Sequence, residues 1–313
     1  MKKLLSLSLI LVLAVALCFG ALAACTTPDE SSPAPTDSES PSPSPSLLPD
    51  FTFNIVSEGA AIEVTDEDLA ALELYVVSYT KNDVTTYFKG VKVSDMVAAV
   101  SELPETITGL LFVGEDGYGL DKAALPESHF ATAYVTFLSC ATEDGTYAAL
   151  DEENAPARVI DMTADTTFKT IKMLANVYVD GELFRITDGA TNYDVTYADL
   201  SALTAVDYTY TKDEVVTDYQ GYNLYALLAA LEISTTGISS VAFTSADGYV
   251  TNPALTDAQA GACVLATTIE TVADSGEYES LDSSNGPIKA LWNNGSSDKN
   301  AKVVVIITIT RTA

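Results

Sequence analysis

The sequence predicts a strand-rich α+β fold built as two tandem homologous domains, and three observations lead there. The chain matches itself at an offset of 131 residues, with 21 of the 66 positions from 53 to 118 identical to their partners 131 residues on. Runs of β-branched and aromatic residues outnumber helical stretches. The helical stretches that do occur are short and apolar on one side only.

The matches hold one register throughout. Phe53-Asn54-Ile55 meets Phe184-Arg185-Ile186, Tyr79-Thr80-Lys81 meets Tyr210-Thr211-Lys212, and Asp116-Gly117-Tyr118 meets Asp247-Gly248-Tyr249. Further on, Gly145, Tyr147, Leu150, Asp151, Asn154 and Pro156 correspond to Gly276, Tyr278, Leu281, Asp282, Asn285 and Pro287. The period is far longer than a solenoid repeat and has the size of a small domain. The turn pair Asp180-Gly181 marks the boundary, giving copies at 50–180 and 181–313.

Each copy opens with a strand ending near Val56 or Thr187. Thr65 with Asp68, and Thr196 with Asp199, have the spacing in which side chains satisfy the free N–H groups of a helix start. Leu69 and Leu72, like Leu200 and Leu203, supply that helix's buried side. Leu74 to Tyr79 and Ala205 to Tyr210 read as strands, turned back by Asn82-Asp83 and Asp213-Glu214 toward Val84 to Phe88 and Val215 to Tyr219. After Gly90 or Gly221, Met96, Val97 and Val100, or Leu227, Leu228 and Leu231, line one face of a second helix. Leu110 to Val113 and Val241 to Thr244 are strands entering Asp-Gly turns, and Val303 to Ile307 is a final strand.

Ahead of the domains, Met1-Lys2-Lys3 and the apolar run from Leu4 to Ala24 read as an export signal over residues 1–24. The run is also long enough for an uncleaved membrane anchor. It ends in Leu22-Ala23-Ala24-Cys25, which resembles the bacterial lipoprotein signal box; the resemblance implies cleavage before Cys25, acylation of its thiol and an extracytoplasmic, membrane-anchored protein. Residues 25–49 are mainly Ser, Pro, Thr, Asp and Glu, a composition that makes a semi-rigid spacer.

With 15 Lys and Arg against 44 Asp and Glu, the net charge of −29 excludes nucleic acid as a partner. Cys140 and Cys263 occupy non-matching places and read as two small buried residues rather than a bridge or a metal site. His129 is the sole histidine and its matched position is Ala260, so a catalytic triad or a zinc site lacks its residues. Asp151-Glu152-Glu153-Asn154 lacks the alternation of a calcium loop and reads as a solvated acidic turn.

The order of an aromatic with Gly (Phe88-Lys89-Gly90, Tyr219-Gln220-Gly221), a Val/Leu helix, a Phe-bearing strand, Asp-Gly-Tyr and a later Asn-x-Pro resembles the oxidoreductase molybdopterin-binding domain of the sulfite-oxidase type. The resemblance covers nearly all of each copy and implies that fold. It also implies a molybdenum-ligating cysteine ahead of the aromatic-Gly segment, yet Tyr75 to Phe88 and Val206 to Tyr219 contain none. Such enzymes load their cofactor before a twin-arginine export, as the resemblance implies, and here Lys2-Lys3 stands without an arginine pair.

The expectation is therefore a non-catalytic ligand-binding or interaction lipoprotein with no cofactor, its partner a small ligand or a surface protein held in a cleft of each copy or between them. The alternatives are a molybdopterin-dependent oxidoreductase with another metal ligand, and a structural surface spacer. Candidate ligand contacts are Tyr79, Lys81, Asp116, Tyr118 and Asn154, with their partners Tyr210, Lys212, Asp247, Tyr249 and Asn285. Each has a structural reading beside it: strand ends for Tyr79 and Lys81, hairpin turns for Asp-Gly-Tyr, and loop shaping for the Asn-x-Pro segments.

Overall fold

The computed structural model describes residues 48–163, 170–212, 214–272, 275–292 and 300–312. The chain divides into two units, Met1–Ser44 and Pro45–Ala313, and every described residue belongs to the second. The export signal, Cys25 and the spacer up to residue 47 lie outside the described residues. Leu48, placed in the spacer from sequence, is instead buried in the core of the first half.

The first half begins with the hairpin β1 (Thr52–Ser57) and β2 (Ala60–Thr65), then α1 (Asp66–Leu69). A second hairpin, β3 (Tyr75–Lys81) and β4 (Val84–Lys92), runs directly into α2 (Val93–Ala99). There follow β5 (Gly109–Gly114), β6 (Leu125–Pro126), a 3-10 turn at Glu127–His129, β7 (Ala133–Cys140), β8 (Ala148–Ala149), β9 (Arg158–Asp161), β10 (Thr170–Ile171) and β11 (Leu174–Val179). They make two sheets, ordered β2-β1-β11-β5-β6 and β10-β9-β7-β4-β3, with β8 also on β7.

The second half contains β12 (Glu182–Asp188), β13 (Thr191–Thr196), α3 (Tyr197–Ser201), β14 (Val206–Lys212), β15 (Val215–Asn223), α4 (Leu224–Ala230), β16 (Ile238–Ser245) and β17 (Leu255–Thr256). It ends with α5 (Asp257–Gly261), β18 (Val264–Glu270), β19 (Tyr278–Ser280), β20 (Lys289–Leu291) and β21 (Val304–Arg311). Its sheets run β13-β12-β21-β16-β17 and β14-β15-β18-β19, with β20 also on β18. The strand order thus repeats, down to one parallel pair per half, β1 with β11 and β12 with β21. The fold is strand-rich α+β.

Local chemistry explains the short helices. The Thr65 N–H donates to Asp68 Oδ2 at 2.8 Å and the Thr196 N–H to Asp199 Oδ2 at 2.8 Å, so each helix start is satisfied by its own third residue. Each of these helices is only about one turn long, because Leu69 and Leu200 fill the core and the chain then turns into the next hairpin. The strands after them are longer than the sequence reading, since β4 and β15 continue past their glycines. Both glycines sit at bulges in the pairing with β7 and β18. A Cβ on Gly90 would lie 2.0 Å from Val135 O, and one on Gly221 would lie 2.2 Å from Leu265 O.

The two first sheets differ in burial, and this sets how the halves meet. In β5 and β11 every residue is buried, Leu110, Phe112, Val177 and Val179 facing the first half's core while Leu111, Val113 and Tyr178 join the core of the second half. β16, the matched strand, alternates buried and less buried positions. The first sheet is therefore covered on both faces, the condition that favours continuous apolar runs such as Leu110-Leu111-Phe112-Val113.

Gly90→Ala and Gly221→Ala should each lower stability by about 3 kcal/mol, because a backbone carbonyl occupies the space a methyl needs. Urea denaturation measures this, and a loss below about 0.5 kcal/mol for both would show that the bulges relax freely.

Candidate functional site

The sequence candidates separate into two places. Tyr79 and Asn154 in the first half and Asn285 in the second contact a buried cation, Tyr210 packs in the small core beside the second, and the two Asp-Gly-Tyr turns line a groove between the halves.

In the first half the cation is Arg158 on β9. Its guanidinium carbon lies 4.7 Å from the ring centres of both Tyr79 and Phe88. Arg158 Nη1 donates to Asn154 Oδ1 at 3.0 Å and Nε donates to Thr170 Oγ1 at 2.7 Å. Asn154 in turn donates to Asp151. Burial pulls the Arg158 pKa below its ordinary value, opposed by Tyr79 and Asp151.

The matched residue on β20 is Lys289. Its Nζ lies 4.6 Å above the Tyr219 ring, donates to Tyr219 Oη at 2.8 Å and reaches Asn285 Oδ1 at 3.4 Å. Asn285 donates to Asp282 Oδ1 at 2.9 Å. Burial works to raise the Asp282 pKa, but hydrogen bonds from Ser284 and Asn285 outweigh it and hold the carboxylate low. In both halves an Asp–Asn–cation chain pins the outer loop onto the second sheet, over the small cores formed by Val77, Phe88, Leu150 and Ile160 and by Tyr210, Tyr219, Leu281 and Leu291.

These cations are inconspicuous in the sequence because Arg158 and Lys289 are not identical, whereas Lys81 and Lys212 are. Lys81 is an exposed strand end at a hairpin tip. Lys212 ends β14 and its side chain lies outside the described residues. The signal that could have found the pair is a cation four residues after each matched Asn.

The groove is formed where both halves meet. At one end a cleft of about 530 Å³ is lined by Asn54 and Glu63 from the first half and by Asp247, Tyr249, Ser284 and Lys302 from the second. At the other, about 550 Å³, Asp116, Tyr118 and Asp121 face Tyr197, Tyr278 and Glu279. A third, much smaller cavity shares Gly117 and Ser280 with the second cleft and Ser283 with the first, so the two clefts adjoin as one interrupted groove. The matched Asp-Gly-Tyr turns thus stand one in each cleft, at the two ends of this interrupted groove. Both Asp side chains accept the Tyr backbone N–H at 3.0 Å, which keeps the turns tight and the tyrosines half exposed.

The joint beneath the groove is polar and partly strained in charge. The Glu58 N–H donates to Glu182 Oε2 at 3.2 Å, Arg185 Nη1 donates to the Glu58 carbonyl at 3.2 Å, and the Ser283 N–H donates to the Glu115 carbonyl at 3.2 Å. Glu182 is buried, and its Oε1 has no hydrogen-bond partner among the described residues. Burial first, and Asp194 second, raise its pKa, against Arg185 and the N–H groups of Glu58 and Gly59.

The two cysteines differ from their sequence reading in one respect. Cys263 is fully buried and its thiol is pushed far up by desolvation, whereas Cys140 is only half-buried, at the end of β7 beside the Thr142–Gly145 turn. Both are free. His129 Nδ1 lies 3.3 Å from Asp161 Oδ2, a pair confined to the first half; Ala260 and Trp292 take the matched places, with Trp292 stacked on Phe243 at 5.5 Å. Among the described residues no three His, Cys, Asp or Glu side chains cluster as metal ligands, and no helix is long and apolar enough to cross a membrane.

No family model and no curated protein matches the chain. Among solved structures it is similar to the sulfane dehydrogenase SoxCD from Paracoccus pantotrophus, at 12% identity over 80% of this chain and 77% of that chain, with a TM-score of 0.32. At that score the likeness carries no argument about site or activity.

Arg158→Ala should cost roughly 2–3 kcal/mol of stability through lost ring stacking and an unmade loop bond, while Lys81→Ala should stay within about 0.5 kcal/mol. Equal losses in urea denaturation would remove the distinction between a pinned and a solvated cation. Glu182 sets a pH dependence of definite sign. Its folded pKa is raised, so its contribution is most favourable below the ordinary glutamate range and is lost as pH rises through the folded value. Glu182→Gln should therefore raise Tm at pH 7 and flatten the fall in Tm between pH 4 and 7; a lower Tm at pH 7 would show that the carboxylate's charge is needed at the joint.

Proposed function

We propose that the chain is an exported lipoprotein, held at the membrane by acylated Cys25, whose two halves are copies of one scaffold that bind a small ligand in the groove between them without catalysis. The observation that carries the binding reading is that groove. Matched turns with an exposed tyrosine and a carboxylate converge on its two ends from different halves. Concave, partly apolar clefts with a few convergent polar groups are where small ligands bind.

The residues present do not fit a molybdenum-bound pterin. The stretch where the family's thiolate would lie has no cysteine, Cys263 is a desolvated thiol that resists ionising, and Cys140 sits on β7 rather than on the hairpin ahead of Gly90. The buried cations that might meet a phosphate, Arg158 and Lys289, are committed to tyrosine rings and Asn side chains. These features favour a binding protein over the oxidoreductase reading, and the groove favours it over a spacer.

The tests address anchor and groove separately. In the full chain Cys25→Ser should move the protein from the membrane to the soluble fraction and remove the lipid mass from its N-terminal peptide; unchanged membrane retention would overturn the anchor. A thermal-shift screen of the mature chain should find a ligand whose shift is lost in Tyr118→Ala or Tyr249→Ala. Stoichiometric molybdenum in the purified protein would overturn the cofactor-free reading.

A further inference from the structure

The two ends of the groove differ in chemistry. The end near Asp247 sets Lys302 among two carboxylates, Glu63 and Asp247, with hydroxyls and amides. The other end combines three carboxylates, Asp116, Asp121 and Glu279, with three phenol rings, Tyr118, Tyr197 and Tyr278, and no cation among the described residues lines it. Its field is reinforced from outside. Desolvation raises the Tyr278 pKa, and Asp207, Glu270 and Asp218 raise it further, so negative charge converges on that ring from several strands.

A cation of the chain itself already reports what this end holds. Lys122, just outside the lining, lays its ammonium 5.4 Å from the Tyr118 ring centre and 3.0 Å from Asp121 Oδ2. Its pKa is raised, chiefly by the bond to Asp121. A ring face backed by a carboxylate is the arrangement that attracts ammonium groups. Neutral ligands can draw only hydrogen bonds from the three carboxylates, a cation is drawn by their charge as well as by the rings, and anions are repelled by them and by the chain's net charge of −29.

We infer that the Tyr118–Tyr278 end of the groove is a binding site for a small organic ammonium ion, with Lys122 as the internal occupant that the ligand displaces. The inference rests on the groove being the binding site and specifies the ligand class. The ring faces of Tyr118, Tyr197 and Tyr278 receive the alkyl-ammonium surface, while Asp121 and Glu279 supply the countercharge. Because Lys122 occupies the same ring and carboxylate, removing it should help the ligand rather than harm it. A merely acidic surface would share the salt dependence and the gain on removing Lys122, but would be indifferent to the rings.

The experiment is calorimetric titration of the full mature chain with tetramethylammonium and with ethylammonium, at low and at physiological ionic strength, with potassium and calcium chlorides as parallel arms. The expected result is saturable one-site binding of an ammonium ion that weakens with salt. Lys122→Ala should tighten it roughly threefold to fivefold and Tyr118→Ala should weaken it by a similar factor, the size of an exposed cation–ring contact. Tyr278→Leu, on a separate strand, should weaken it as well, and circular dichroism of each variant separates loss of binding from loss of fold. Binding of calcium alone would make the carboxylates a metal site and overturn the inference. Ammonium binding unchanged in both tyrosine variants would overturn it too, whatever Lys122→Ala does. If ammonium ions fail while the thermal-shift screen yields a neutral or anionic ligand lost in Tyr118→Ala, the inference falls and the groove stands; if neither arm yields a ligand, both fall.

Discussion

The structure depends on the burial of one sheet on both of its faces. β5 and β11 carry apolar side chains on both sides, one set closing the first half's core and the other set, Leu111, Val113 and Tyr178, entering the core of the second. At about 25 cal/mol per Å² of apolar surface, a shared core of this kind outweighs the few polar bonds across the joint. Those bonds fix register instead. Glu182 receives the turn of the β1–β2 hairpin, and Gly59 at that turn leaves no room for a side chain, since its Cβ would lie 2.7 Å from Ile306 Cγ1. Tyr178 shows the cost of the arrangement: its hydroxyl is buried with no hydrogen-bond partner among the described residues, and desolvation raises its pKa strongly.

Much of this was legible in the sequence. The helix starts at Thr65 and Thr196, the paired hairpins and the glycine of each aromatic-Gly segment are local features, set by side chains within a few residues of one another. The asymmetry of the halves was also written there, in Leu110-Leu111-Phe112-Val113 against Val241-Ala242-Phe243-Thr244. An unbroken apolar run marks a strand with two buried faces, and an interrupted one marks a strand with a more exposed face. What stayed hidden is what only packing creates. β7 and β18 occupy the middle of their sheets, but Ala133 to Cys140 and Val264 to Glu270 mix hydroxyl and apolar residues and show no clean period. Leu48 looked like spacer because its neighbours are Ser and Pro, yet it completes a core.

The buried cations illustrate a different limit. Identity between the copies points to Lys81 and Lys212. Geometry selects the charge that must be satisfied, and an Arg and a Lys solve that problem differently. Arg158 spreads a planar group between two rings and two hydrogen-bond acceptors, while Lys289 is a point charge held by one ring, its phenol oxygen and an amide. The position therefore keeps its charge but not its residue. Asn154 and Asn285, read from sequence as loop-shaping, shape their loops by gripping these cations.

The same asymmetry explains why matched turns lead to unlike ends of one groove. A Cβ on Gly117 would lie 2.2 Å from Ser280 Cβ, so the first Asp-Gly turn is wedged against β19 of the other half. Gly248 has nothing within 4 Å, and the second turn stands open above the β1–β2 hairpin. Two copies packed symmetrically would place like turns in like surroundings. Here the first sheet of one half leans on the core of the other, so each turn meets a different set of strands, and an identical tripeptide acquires two further tyrosines and two further carboxylates at one end and a glutamate, hydroxyls and a lysine at the other. The groove is a property of the pair, and neither half alone contains it.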